Sequence, residues 1–195
     1  MIRLCLLVTS LSLLAAVNEM AQNFTLKDSK GKAVSLSDFK GKTVVLEWFN
    51  DGCPFVKKHY TKSGYMPGLQ EKYSGQVVWL TINSSAPGKQ GDLTPSGRAE
   101  EIRKSYSLKS KHLLVDSSGA VGKMYDAKVT PHMFIINKEG KLVYDGAIDG
   151  EPSTDEDDIL EADKLFEEGL KAALMGKAVP KAKNKPYGCS VKYKS

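Results

Sequence analysis

The chain has 195 residues, enough for one domain of ordinary size with a hydrophobic core. Its composition, 41% hydrophobic and 26% charged residues, is typical of a folded globular protein. The net charge of +5 is modest and the basic residues do not cluster with aromatics, which argues against a nucleic-acid-binding protein.

The first 17 residues, MIRLCLLVTSLSLLAAV, differ from the rest of the chain. Arg3 is followed by about 14 mostly apolar residues, fewer than the ~20 that a membrane-spanning helix needs. This order is typical of a secretory signal peptide, with Ala15 and Ala16 in the cleavage region. We therefore expect an exported protein, periplasmic or secreted, with no stable membrane insertion after signal removal. A retained N-terminal anchor is the alternative.

Removal of this segment would also remove Cys5 and leave two cysteines, Cys53 and Cys189. In an oxidising compartment, such a pair predicts either a disulfide bond or a redox couple.

Strand and helix patterns alternate from residue 24 to about residue 175. The apolar, β-branched runs 43–50 and 77–83 predict two buried parallel strands. The other predicted elements are a hairpin over 23–42 that turns at 29–32, a helix from 54 that breaks near Gly64 and Pro67, a helix over 97–108 capped by Ser96, a strand over 112–116, a short helix over 119–127, a hairpin over 132–149 and a helix with a Ser/Thr cap within 153–177.

This alternation predicts an α/β fold, with a mostly parallel sheet covered by helices on both faces and antiparallel strands added by the last hairpin. Residues 22–175 form the predicted domain. Residues 176–195 form a C-terminal basic tail with six lysines and no acidic residue. The tail is too polar to form a core alone, and its apolar-flanked Cys189 is suited to docking on the domain.

Cys53 falls where a predicted strand ends and a helix begins. Pro54 suits the first helical position, which makes Cys53 the predicted N-cap. Its sulfur would then face the free N–H groups and the positive end of the helix dipole, with Lys57, Lys58 and His59 nearby. These features favour the nucleophilic thiolate. The alternative is an inert buried cysteine.

Two stretches, VVLEWFNDGCPFVKKHY and VTPHMFIINKEGKLVYDGAIDG, carry a family resemblance. Residues 22 to about 175 resemble the thioredoxin-like redoxins of the alkyl-hydroperoxide-reductase and thiol-specific-antioxidant superfamily. The closing YGCSVKY is similar to the C-terminus of a peroxiredoxin-like subgroup. The resemblance implies a thioredoxin fold, with a central mixed β-sheet flanked by helices. It also implies that Thr130–Pro131 is a cis peptide bond packed against the active cysteine.

The sequence departs from both catalytic patterns of that superfamily. Peroxidase members place a proline and a Thr/Ser seven and three residues before the cysteine, where this chain has Leu46 and Asn50. The later arginine is replaced by Pro131, although the Asn50 amide retains a donor. In Cys-x-x-Cys oxidoreductases the second cysteine resolves the mixed disulfide, and Val56 stands in its place here.

Cys189 is the internal candidate to resolve that mixed disulfide. A Cys53–Cys189 bond would be either catalytic or a structural staple. As a staple it would close a loop of ~137 residues and stabilise the fold by ~5 kcal/mol.

The sequence therefore predicts a thiol oxidoreductase or antioxidant enzyme that needs a thiol or disulfide substrate and an external electron donor, but no cofactor and no metal. The alternatives are peroxide reduction, a non-catalytic binding module, or a metal site from Cys53, His59 and His132. We expect His132 to line the substrate groove and His59 to lie on the surface. Glu47 either accepts a proton near the thiol or pairs with a lysine, the latter being preferred. The residues that we expect to shape the site or bind the substrate are Asn50, Pro54, Lys57, Thr130, Pro131 and His132.

Overall fold

The computed structural model describes residues 15–95 and 97–194. Nine strands form two sheets. Their bounds are β1 Thr25–Asp28, β2 Ala33–Ser35, β3 Thr43–Trp48, β4 Val77–Asn83, β5 His112–Val115, β6 Val129–Thr130, β7 His132–Ile136, β8 Leu142–Gly146 and β9 Cys189–Ser190.

The main sheet has the order β2-β1-β5-β4-β3-β7-β8, with β3, β4 and β5 parallel and β7 antiparallel to β3. Every residue of β3 and β4 is buried, as their continuous apolar runs predict for central strands covered on both faces. A separate two-stranded sheet joins β6 to β9. Both predicted hairpins are confirmed.

Six α-helices flank the sheet: α1 Pro54–Lys57, α2 Tyr65–Lys72, α3 Arg98–Ser105, α4 Ala120–Met124, α5 Asp158–Glu161 and α6 Leu165–Leu174. A π-helical turn, Lys58–Lys62, continues α1. The predicted break near Gly64 and Pro67 is confirmed at Gly64, which has a φ of +67° and separates the π turn from α2, whereas Pro67 lies inside the first turn of α2. Ser96, the predicted cap of α3, lies outside the described residues.

The prediction of one capped helix within 153–177 is wrong. The helical structure begins only at Asp158, and Ala162, with a ψ of 142°, separates α5 from α6. The Ser153 hydroxyl donates a hydrogen bond to the Asp158 carboxylate and accepts one of 3.3 Å from the Asp155 N–H. These local bonds hold a turn in place of a helix cap.

The hydrophobic core is divided between the two faces of the sheet. One face packs Val45, Phe49 and Cys53 with α1, α2 and α6. The other packs Trp48 and Phe134 with the N-terminal hairpin and α4. Successive residues of a strand point to opposite faces, so the register of β3 and β7 decides which side chains face Cys53.

The C-terminal tail docks on the domain. Asp145 of β8 donates its N–H to Ala182 and accepts the N–H of Asn184, so the tail runs along the outer strand of the sheet. It then crosses the sheet end to form β9. The predicted boundaries 22–175 and 176–195 remain predictions.

Most of the predicted signal segment, residues 1–14, lies outside the described residues. Ala15 is buried and donates its N–H to the Met124 carbonyl. In the ranges 15–95 and 97–194 no helix has the length and apolarity required to cross a bilayer.

Candidate active site

Cys53 follows the carboxyl end of β3 and is the N-cap of α1, with Pro54 at the first helical position, as predicted. Its side chain has no exposed surface. The thiol does not cap the helix, contrary to the prediction, and instead donates a hydrogen bond of 3.0 Å to the carbonyl oxygen of Thr130. A neutral thiol is a donor, so it pairs with a carbonyl acceptor in preference to the N–H groups of the first turn.

The Thr130–Pro131 peptide bond is cis, which confirms the expectation from the family resemblance. Thr130 also pairs with Cys189 across the small sheet, where β6 and β9 are antiparallel. The same residue therefore contacts both cysteines, its carbonyl bonding to Cys53 while its backbone lies in register with Cys189.

Cys53 and Cys189 are both free thiols. Cys189 is partly buried, and its thiol is close enough to that of Cys53 to perturb its ionisation. Burial, followed by the hydrogen-bonding and charge interactions with Cys53, raises the pKa of Cys189 to about 11. The structure thus brings together the two cysteines that the sequence separates by more than half of its length.

Gly188 brings the backbone of the tail close to Thr130 at the site. Its φ is +142°, and a Cβ atom built at this position would lie 2.0 Å from the Thr130 carbonyl oxygen. Any larger residue would collide with the acceptor of the Cys53 hydrogen bond. The tail continues past β9, where the Ala86 N–H donates 2.8 Å to the carbonyl of Lys192.

Tyr187 anchors the tail on the other side of Cys189. Its hydroxyl donates to the Asp149 carboxylate and lies 3.3 Å from His59 Nε2, and its ring packs edge-on against Phe55. His59 is 1% exposed, so its predicted surface position is wrong. Burial and the charges of Lys58 and Lys164 lower the His59 pKa to about 3, which makes it a neutral member of this anchor.

Asn50 orders the loop before Cys53. Its Oδ1 accepts the Gly52 N–H at 2.8 Å, and its Nδ2 donates to the Ser85 hydroxyl at 3.1 Å and to the Gln90 carbonyl at 3.0 Å. Both amide hydrogens are therefore used inside the loop. The amide donor that the sequence predicts at Asn50 is therefore already bonded to Ser85 and Gln90.

Glu47 lies on β3 and is fully buried. It accepts hydrogen bonds from the Tyr60 hydroxyl (2.6 Å), Trp79 Nε1 (2.8 Å) and Gln70 Nε2 (3.2 Å). The expected lysine pairing is wrong, because these neutral donors occupy the carboxylate. Burial raises the pKa of Glu47 to about 7, and the bonds from Tyr60, Trp79 and Gln70 oppose that rise.

The remaining predicted residues are not brought to the thiols. Lys57 is exposed and forms no side-chain hydrogen bond or ion pair with any described residue. His132 is 2% exposed; its Nε2 lies 2.8 Å from Asp145 Oδ1 and its ring packs on Phe134. It therefore faces the side of the sheet opposite to Cys53, away from the expected groove. This also separates the ligands of the alternative metal site.

Sequence reasoning missed Tyr106, Tyr187 and Gly188. The Tyr106 hydroxyl donates to the Asp51 carbonyl, and burial with the charges of Asp51 and Cys53 raises the pKa of Tyr106 to about 12. For Tyr187 and Gly188 a signal was present, because both fall within the YGCSVKY motif beside Cys189. Tyr106 is the C-cap residue of α3 and carried no local signal.

A family model described as Redoxin matches residues 16–163. Thiol-disulfide oxidoreductase ResA of Bacillus subtilis (strain 168) is 31% identical over 123 residues, 63% of this chain and 63% of that relative. The ResA of Bacillus thuringiensis subsp. konkukian (strain 97-27) is 29% identical over 127 residues, 65% of this chain and 67% of its own length. The chain thus matches a little under two thirds of the length of the first relative.

The fold is similar to that of solved structures. An uncharacterized conserved protein from Geobacillus kaustophilus aligns with a TM-score of 0.73 and 28% identity, covering 93% of this chain and 94% of that one. A putative thioredoxin from Neisseria meningitidis aligns with a TM-score of 0.51, 23% identity and coverage of 64% and 77%. These alignments and the sheet order confirm the predicted thioredoxin fold.

Proposed function

Because the chain belongs to the Redoxin family, we propose that it is an exported thiol–disulfide oxidoreductase in which Cys53 attacks and Cys189 resolves. The observation that carries this proposal is the pairing of β9 with β6, which sets the Cys189 thiol beside Cys53. The name of the Bacillus subtilis relative supports the reaction class.

The reaction begins when the Cys53 thiolate attacks one sulfur of a substrate disulfide. A mixed disulfide forms, and the other substrate sulfur leaves as a thiolate that takes up a proton. The Cys189 thiolate then attacks the Cys53 sulfur and releases the second substrate thiol. The substrate gains two electrons, and the protein retains a Cys53–Cys189 disulfide that an external dithiol reductant must reduce.

Substrate access requires movement of the tail. Cys53 has no exposed surface while β9 is paired with β6, so an external disulfide reaches it only after this two-residue strand separates. Few backbone bonds hold β9, which makes local opening inexpensive compared with unfolding of the main sheet. The tail is therefore both the cover of the site and the carrier of the resolving thiol.

Peroxide reduction is the competing reaction. The amide of Asn50 is engaged with Ser85, Gln90 and Gly52, and the proline and arginine of the peroxidase pattern are replaced by Leu46 and Pro131. A site in which the groups of the peroxidase pattern are replaced or already engaged polarises a peroxide bond poorly. We therefore expect disulfide reduction to exceed peroxide reduction.

The decisive experiment compares the two reactions under one dithiothreitol supply. Insulin reduction and hydrogen peroxide consumption are measured for the wild type, Cys53→Ser and Cys189→Ser. The proposal expects insulin reduction that Cys53→Ser abolishes. Peroxide consumption without insulin reduction would identify a peroxidase, and inactivity in both assays would identify a non-catalytic module.

A further inference from the structure

A cavity of about 440 Å³ opens at the end of the sheet where β3 and β4 begin. The connection from α2 to β4, residues 74–76, forms one side of it. Cys53 follows the opposite, carboxyl end of β3. The cavity is therefore separate from the thiol site.

Four lysines line this cavity, and no aspartate or glutamate does. They come from two loops and a hairpin turn, and they are Lys42, Lys109, Lys111 and Lys138. All four side chains are exposed, and in the described part of the chain no carboxylate lies within ion-pair distance of any of them. The Lys111 ammonium group lies over the ring of Phe39, 5.5 Å from the ring centre.

Some lysines elsewhere on the surface are paired with carboxylates, unlike these four. Lys62, Lys72, Lys128 and Lys171 each face a carboxylate at 2.7–3.2 Å. Like charges gathered around a concave surface repel one another and concentrate counter-ions there. An anion in the cavity would relieve that repulsion.

The wall behind the lysines is built from buried polar groups. Gln70 is 1% exposed; its Oε1 accepts the Lys109 N–H at 2.7 Å, while its Nε2 donates to Glu47. This contact fixes the backbone from which Lys109 projects. Thr43, also 1% exposed, has an Oγ1 with no hydrogen-bond partner among the described residues. A buried hydroxyl without a partner is costly in a wall that serves only packing.

We propose that this cavity is a binding site for a small molecule that carries two or more negative charges, of the phosphate-ester or pyrophosphate class. Its volume falls within the range of ~300–1,000 Å³ that ligand sites occupy. Lysine ammonium groups bind phosphate oxygens as point charges, and four of them suit a multivalent anion better than a monovalent one. The site is independent of the cysteine chemistry.

The test is isothermal titration calorimetry of the full-length protein with sodium pyrophosphate at low ionic strength. Sodium phosphate and sodium chloride at matched ionic strength serve as comparison ligands. The test variant is Lys109→Gln/Lys111→Gln. The control, Lys27→Gln/Lys104→Gln, removes the same charge from exposed lysines outside the cavity.

We expect one saturable pyrophosphate site that the test variant weakens at least tenfold and the control changes less than twofold. Chloride should give no saturable heat, and phosphate should bind more weakly than pyrophosphate. Absence of saturable pyrophosphate binding would overturn the proposal. An equal loss in both variants would also overturn it, because it would show a response to net charge alone. Circular dichroism confirms that each variant is folded.

Discussion

Cys189 lies opposite Thr130 in the antiparallel pair of β9 and β6, and the carbonyl of that same threonine accepts the hydrogen bond of Cys53. A single backbone position thus brings the nucleophile and its candidate resolving thiol together. The geometry needs no nearby Cys-x-x-Cys partner, and Val56 is free to serve as a fully buried core residue.

Replacement of Cys189 by serine should stop the reaction at its intermediate. The Cys53 thiolate still attacks a substrate disulfide, but the mixed disulfide persists because the internal resolving thiol is absent. We expect non-reducing electrophoresis and mass spectrometry to show accumulated Cys53 adducts in Cys189→Ser and none in Cys53→Ser. Equal adduct levels in the wild type and Cys189→Ser would exclude Cys189 as the resolving residue.

Replacement of Gly188 by alanine should release β9 from the site. Its Cβ would meet the Thr130 carbonyl at 2.0 Å, so the strand cannot remain paired in the observed register. Both proteins carry Cys189→Ser, so that Cys53 is the thiol followed. We expect Gly188→Ala to make the alkylation of Cys53 by iodoacetamide at least tenfold faster.

Gly176→Ala is the matched control. Gly176 also has a positive φ, +67°, but a Cβ there meets no atom within 4 Å. It imposes the same kind of backbone strain at the start of the tail without a clash at the site. If this control accelerated alkylation as much as Gly188→Ala, tail docking through β9 would not be what buries Cys53.

Formation of the Cys53–Cys189 bond should depend steeply on pH. Burial, the largest cause of the raised Cys189 pKa, does not depend on the state of Cys53, so in the mixed disulfide only a small fraction of this thiol is ionised at neutral pH, and the fraction rises about tenfold per pH unit. Rapid acid quenching after addition of a substrate disulfide should show that the rate of the resolving step increases nearly tenfold per pH unit between pH 7 and 9. A rate independent of pH over this range would contradict the ionisation of Cys189 as the limiting event.

The buried carboxyl of Glu47 should make the fold less stable as pH rises. Its pKa of about 7 in the folded protein exceeds its ordinary value of 4.5, so the folded state holds more protons than the unfolded state between these values. The stabilisation by the neutral carboxyl is complete below pH 4.5 and is lost as the pH rises through 7. The shift corresponds to on the order of 3 kcal/mol.

Glu47→Gln, which stays neutral, should therefore gain stability relative to the wild type between pH 4.5 and 8 in urea unfolding. Glu167→Gln is the control with the opposite sign. Partial burial would raise the Glu167 pKa, but hydrogen bonds from Lys72, Tyr73 and Lys171 lower it below 4.5. Its replacement should cost more stability at high pH than at low pH. A parallel pH response of the two variants would contradict the assigned shifts.

Local patterns predicted the two central strands well, because the runs at 43–50 and 77–83 are buried strands whatever their neighbours. The expectation of a mostly parallel sheet is wrong, because only two of the six strand pairings in the main sheet are parallel. Tertiary contacts decided the errors at the candidate site. The Cys53 thiol turned to Thr130, 77 residues away, and His59 was buried by Tyr187, 128 residues away. The direction of His132 followed from the register of β7 against β3, and a one-residue shift reverses the face of every side chain.

The tail also changes what β8 presents to other molecules. β8 is the outermost strand beyond β7, and its backbone groups would otherwise be a template for a strand of another chain. Ala182 and Asn184 occupy the N–H and carbonyl of Asp145, and the Asn184 side chain accepts the N–H of Ala147. The segment that carries Cys189 thereby also shields the protein from edge-to-edge self-association.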